Sequence, residues 1–164
     1  MFIRTTITSI SLLVALSAAT AQAGLKEAEQ LYAAGDHKAA LQEYVNTGGE
    51  GDIEATFRAA QMFERGEGTG EPKLDKAAAW YQAAARAGHV SALKALAEMF
   101  AEGRGVDEDK VQAWALLDIA AQKGDSEAAQ VRDELSADLR PGQVAAGQRR
   151  AQKLAPKYET QQGS

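Results

Sequence analysis

The sequence predicts an all-α chain, a right-handed α-solenoid of stacked helix-turn-helix units with C-terminal capping helices. Three observations carry this expectation. The segment from Ala55 to Gly88 returns from Ala92 to Gly124, apolar residues inside each copy recur three and four apart, and glycines close the periodic runs.

The repeat can be read position by position. Ala55, Ala59, Ala60, Met62, Phe63, Gly66 and Gly68 fall on Ala92, Leu96, Ala97, Met99, Phe100, Gly103 and Gly105 at a constant offset of 37. One residue is then lost in the loop. Ala77, Trp80, Tyr81, Ala84, Ala85 and Gly88 fall on Ala113, Leu116, Leu117, Ala120, Ala121 and Gly124 at an offset of 36. A degenerate copy precedes these two, in which Ala28, Leu31, Tyr32 and Gly35 match Ala59, Met62, Phe63 and Gly66 at 31, and Ala40, Tyr44 and Gly51 match Ala77, Tyr81 and Gly88 at 37. The expected repeat domain is therefore 24–139, with units at about 24–54, 55–91 and 92–128.

Each unit reads as two helices. In the middle copy Ala55, Ala59, Met62 and Phe63 mark one apolar face and Ala77, Trp80, Tyr81 and Ala84 the next, a helical period and not a strand one. β-branched residues are scarce between 55 and 129, which removes most strand propensity. Gly66, Gly88, Gly103 and Gly124 follow periodic runs, where a left-handed residue ends a helix without steric cost. The 35 alanines supply small crossing points between helices, with Phe63, Trp80, Tyr81 and Phe100 filling the space beside them.

Beyond the repeats, Pro141 separates a helix near Ala128 to Leu139 from a capping helix over 140–154. A terminal solenoid unit exposes an apolar face that something must cover. Val144, Ala145, Gln148, Ala151, Gln152 and Ala155, with Leu154 beside them, form the expected covering stripe, and 155–164 is expected to be a disordered tail. At the other end, Arg4, the apolar run Ile10 to Leu16 and the small-x-small triplet Ala21-Gln22-Ala23 have the form of a secretory signal peptide over 1–23. The apolar run is too short to span a bilayer, so the expected product has no stable membrane insertion and is periplasmic or secreted.

Composition narrows the chemistry. Having no cysteine, the chain excludes disulfides, thiolate metal sites and thiol nucleophiles. A net charge of −5 weighs against nucleic acid as a partner. The charge is uneven: residues 24–139 carry 12 basic and 22 acidic side chains, whereas 140–164 carry Arg140, Arg149, Arg150, Lys153 and Lys157 against Glu159. The basic end reads as an ordinary solvated helix closing the solenoid, the alternatives being docking on the acidic body or a weak electrostatic contact with anionic lipid or polymer.

Gly66-Glu67-Gly68, Lys76-Ala77, Trp80-Tyr81, Ala84-Ala85, Gly88 and Ala92 in one copy, and Gly103-Arg104-Gly105-Val106, Asp109, Ala113, Leu116, Ala120-Ala121, Gly124 and Ala128 in the next, resemble the Sel-one-like repeat family of the tetratricopeptide-repeat-like superfamily. Ala59-Ala60 and Leu96-Ala97 stand where the family has Leu-Gly, and the third unit's tryptophan has moved from the position of Leu116 to Trp114. The resemblance implies an α-solenoid whose concave surface binds a protein or peptide. The absence of cysteine excludes the family's disulfide-pinned branch.

No motif points to catalysis or to a cofactor or metal. Gly66-x-Gly68-x-Gly70 lacks the strand before it and the Gly-Lys-Ser/Thr after it that a phosphate loop requires. Asp107-Glu108-Asp109 lacks the turn glycine and the closing glutamate of a calcium loop, and reads as a helix start. His37 and His89 have no second ligand at metal spacing. The expected function is an exported, non-catalytic protein-interaction adaptor. Alternatives are a periplasmic regulator of an envelope enzyme or sensor, and a cell-wall glycan binder or enzyme. Stacking of equal positions predicts one ladder of binding residues on the first helices: Glu27 and Gln30, then Arg58, Gln61 and Arg65, then Glu98 and Glu102. Export should cleave after Ala23. Mass spectrometry of the exported protein is expected to find Gly24 at the N-terminus, and an intact Met1 in membranes would reject the signal reading.

Overall fold

The computed structural model describes residues 22–159, and the expected signal segment falls almost wholly outside them. Among the described residues there are eight α-helices and no strand. Helix α1 covers 22–33 and α2 His37–Gly49. The two strong repeats supply α3 (Ile53–Arg65) with α4 (Leu74–Arg86), and α5 (Val90–Glu102) with α6 (Lys110–Gln122). Helices α7 (Ser126–Asp138) and α8 (Pro141–Leu154) follow. From α2 to α7 each helix packs on the next in sequence, the arrangement of a solenoid.

Aspartates start four of these helices. Asp36, Asp52, Asp109 and Asp125 accept the backbone N–H of Ala39, Ala55, Gln112 and Ala128 at 3.0, 2.7, 2.8 and 2.9 Å. Each such cap is worth about 1 kcal/mol. Asp109, the last residue of the acidic triplet, is thus a helix start one residue before α6.

The Gly-x-Gly loops have two separate causes. Gly66 and Gly103 end α3 and α5 in the left-handed region, at φ 75° and 67°. The second glycine of each loop touches the preceding unit. A Cβ at Gly68 would run into the His37 carbonyl, and one at Gly105 into the Leu74 carbonyl, each at the start of a second helix. The loops therefore join units as well as helices.

The core is built from alanines at helix crossings and larger side chains between them. Ala55, Ala59, Ala60, Ala77, Ala84, Ala85, Ala92, Ala97, Ala113 and Ala120 are wholly buried. Phe63 and Trp80 sit beside these crossings with ring centroids 6.1 Å apart. Small residues allow the close approach and aromatic rings restore the packing density.

The last helix breaks the pattern. α8 packs chiefly along α6, and not against α7 as the earlier pairs do. Trp114, 5% exposed, fills the junction: its indole N–H donates to Ser136 Oγ at 2.7 Å, and a Cβ at Gly147 would lie 2.7 Å from its ring. This explains the displaced tryptophan. Its position points at α7 and α8, whereas that of Leu116 remains inside the stack.

Two expectations about the C-terminal segment are corrected. Gln148 and Gln152 are exposed, and the buried stripe of α8 runs through Gly147 and Ala151, with Val144 and Leu154 half-buried. A small residue was needed under the indole, which an apolar pattern does not signal. The expected tail is also structured over 155–159, its remaining residues lying outside the described ones: Ala155–Lys157 form a 3-10 turn that carries Tyr158, 3% exposed, into the core. Arg150 reaches Asp109 at 2.6 Å, so the basic helix both covers an apolar face and docks on the acidic body.

Gly147→Val should lower stability by about 1–3 kcal/mol through overpacking at Trp114. Gly142→Ala, in the same helix with open space around it, should be neutral or stabilising. Thermal melts of the two variants check this, and equal effects would contradict the packing account.

Candidate interaction surface

The first helices and their loops enclose a small pocket. Tyr32 of α1, Tyr44 of α2, Arg58, Gln61, Met62 and Arg65 of α3, and Glu67 of the following loop line about 70 Å³. Arg58, Gln61 and Arg65 occur at spacings of three and four, which puts them on one side of α3. Arg58 donates through Nε to Glu54 at 2.8 Å and through Nη1 to Gln61 at 3.5 Å. Arg65 stands 4.0 Å from Glu67, whose other oxygen accepts the Tyr32 hydroxyl at 3.1 Å. The two arginine side chains are 47% and 56% exposed, and five N–H donors each leave several free.

A second polar group joins adjacent units. Glu64 accepts the Tyr81 hydroxyl at 2.6 Å and Arg104 Nη1 at 2.5 Å, linking α3, α4 and the loop after α5. Burial and the Glu64 hydrogen bond push the Tyr81 phenol far up, so it remains a donor. Nearby, His89 Nε2 lies 3.1 Å from Glu54 while its ring stacks on Phe57 at a 4.0 Å centroid distance.

Glu98 has no ion pair among the described residues. Burial raises its pKa, and the charges of Lys94 and Arg104 lower it by less. Its neighbour on the ladder, Glu102, is exposed and pairs with Arg104 at 2.5 Å.

A larger groove of about 370 Å³ lies across α2, α3 and α4, lined by Gly48, Gly49, Gly51, Ile53, Thr56, Ala79, Trp80, Ala83 and Ala87. Its only side-chain polar group besides the indole N–H is the Thr56 hydroxyl, already donated to Asp52 O at 2.7 Å. A sugar site needs hydrogen-bonding groups beside its aromatic platform. This lining supplies almost none.

The structure brings Arg58, Gln61 and Arg65 together in one pocket; Glu27 and Gln30 are exposed on α1 outside its lining, and Glu98 and Glu102 lie farther along on α5. Tyr32, Tyr44 and Glu67 are pocket residues that sequence reasoning did not select. The tyrosines stand at the repeat positions of Phe63 and Tyr81 and so read as core. A signal was present in the residue that follows the matched Tyr32 and Phe63: it is Glu64 in the second unit and Ala33 in the first.

This geometry belongs to a class of helical-repeat scaffolds. The Sel1 repeat model matches residues 53–89 and 90–125, covering the α3/α4 and α5/α6 pairs. Residues 53–125 thus carry two Sel1 repeats, and such repeats generally mediate protein–protein interaction on a typically non-catalytic scaffold. Among solved structures it is similar to a protective antigen present in uropathogenic Escherichia coli strains displaying an SLR fold, with a TM-score of 0.78 and 25% identity over 84% of this chain and 30% of that one. It is also similar in fold to a Sel1 repeat protein from Oxalobacter formigenes, with a TM-score of 0.60 and 22% identity over 88% of this chain and 58% of that one. The chain thus spans less than two thirds of either neighbour. No curated protein matches it in sequence. Among the described residues, no helix is long and apolar enough to cross a membrane.

Glu98 gives a test of the electrostatics. Its raised pKa means the folded chain holds the proton more tightly than the unfolded chain, so this stabilisation is present at low pH and lost as pH rises through the folded value. Glu98→Gln should therefore raise the melting temperature at pH 7. The gain should shrink as pH approaches about 4, where the native carboxyl also becomes neutral. A gain independent of pH would point to a packing effect instead.

Proposed function

We propose that this chain is an exported, non-catalytic adaptor that binds a protein or peptide through the first-helix face of its solenoid, with Arg58, Gln61 and Arg65 at the centre and Glu27, Gln30, Glu98 and Glu102 flanking them. One observation carries the reading: three accessible polar residues from a single helix converge with two tyrosines of neighbouring helices on one pocket. Arginine and tyrosine together supply charge, several donors and rigid contact area, which is why they recur at binding hot spots. The interaction role of Sel1 repeats supports the same reading. The basic segment after Arg140 supports intramolecular docking more than an external contact, because Arg150 is engaged with Asp109. Export and periplasmic or extracellular residence rest on the N-terminal sequence pattern.

In-cell crosslinking followed by affinity capture tests the adaptor role. The native chain should retain a discrete partner. Arg58→Glu combined with Arg65→Glu should deplete it at least about tenfold while stability stays within about 1 kcal/mol, since both side chains are exposed. Undiminished recovery by the double variant would reject this face as the binding surface.

A further inference from the structure

The first and second units differ at one place that has chemical meaning. In the second unit Tyr81 is buried and its hydroxyl donates to the Glu64 carboxylate, which also takes Arg104. In the first unit Tyr44 holds the position of Tyr81, and the position of Glu64 is occupied by Ala33. Tyr44 is 3% exposed, lines the pocket, and makes no side-chain hydrogen bond with any described residue. A tyrosine this buried normally finds an acceptor for its O–H. Here none of the described residues supplies one, and the hydroxyl is not among the enclosed unpaired polar atoms: the ring is buried while its oxygen opens onto the pocket.

The groups facing that vacancy are mostly donors, with Glu67 the one carboxylate of the lining. Arg58 and Arg65 keep free guanidinium N–H groups, the Gln61 amide stands between them, and Glu67 is already occupied by Tyr32 and faces Arg65. Resting on the interaction reading above, we infer that the pocket formed by Tyr44, Arg58, Gln61 and Arg65 binds an aspartate or glutamate side chain of the partner, whose carboxylate takes the place that Glu64 fills in the next unit. Burial keeps the Tyr44 phenol pKa high, so the group stays a neutral donor at physiological pH. Charge-assisted bonds from arginine and the Tyr44 hydroxyl supply the specificity.

Nuclear magnetic resonance titration of the nitrogen-15-labelled chain tests this with three peptides: acetyl-tetraglutamate amide, acetyl-tetraglutamine amide, and acetyl-tetraglutamine with a free C-terminus. The first should shift the side-chain N–H signals of Arg58, Arg65 and Gln61 saturably, and the second should not. Tyr44→Phe should weaken binding about tenfold without lowering the melting temperature, because the lost hydroxyl has no internal partner among the described residues. Ala33→Glu should abolish binding at an unchanged or higher melting temperature by filling the vacancy from within. Equal binding of the neutral amide, or full affinity in Tyr44→Phe, would overturn the assignment. So would binding of the free C-terminus alone, which would assign the pocket to chain ends. A partner captured in cells by a chain that ignores the glutamate peptide would sink this inference and leave the adaptor reading standing. Glutamate binding that follows the variants, with no partner captured, would support the pocket and sink the adaptor role.

Discussion

The whole molecule depends on helices that approach closely through alanine. A helix pair with Ala59, Ala60, Ala84 and Ala85 at its crossings has little apolar bulk of its own, and its exposed face gains stability only when the next pair closes over it. Close approach also brings backbone against backbone, which is why the second glycine of each loop lies on the start of the preceding unit's second helix. Stacking thus follows from side chains of one carbon or none. The chain must then solve the problem of its ends, and α8 and Tyr158 do so over α6 and the core.

Between the apolar layers, a few polar contacts fix one unit against the next. Glu64 with Tyr81 and Arg104, Lys94 with Glu127, and Arg132 with Asp118 each tie groups from different units or from consecutive helices across a unit boundary. Those that are largely solvent-exposed contribute little to stability, whereas the Tyr81–Glu64 bond removes a buried hydroxyl from a costly unpaired state. The same physical requirement makes the first unit conspicuous.

Departures from the repeat therefore carry more information than the repeat. Trp114 in place of a residue like Ala78 provides the platform for the final helix, and Gly147 provides the space for it. Ala33 in place of a residue like Glu64 leaves Tyr44 available at the first-helix face. Both changes alter one side chain, and the first redirects what packs at that point.

The sequence by itself determined the helices, the 36 to 37 residue period and the stacking order, because apolar period, glycine position and self-similarity are local properties that each unit repeats. It also separated Arg58, Gln61 and Arg65 from the core, since they fall off the apolar face of α3. Only the tertiary structure decided that α8 lies on α6 and that its stripe passes through a glycine, because which distant element covers an apolar face is not written in that face's own period. It alone joined Tyr32 and Tyr44 to the arginines as well. A tyrosine's ring obeys the core pattern while its hydroxyl does not, so burial is legible from spacing but the partner of the oxygen is fixed by what the neighbouring helices bring within reach.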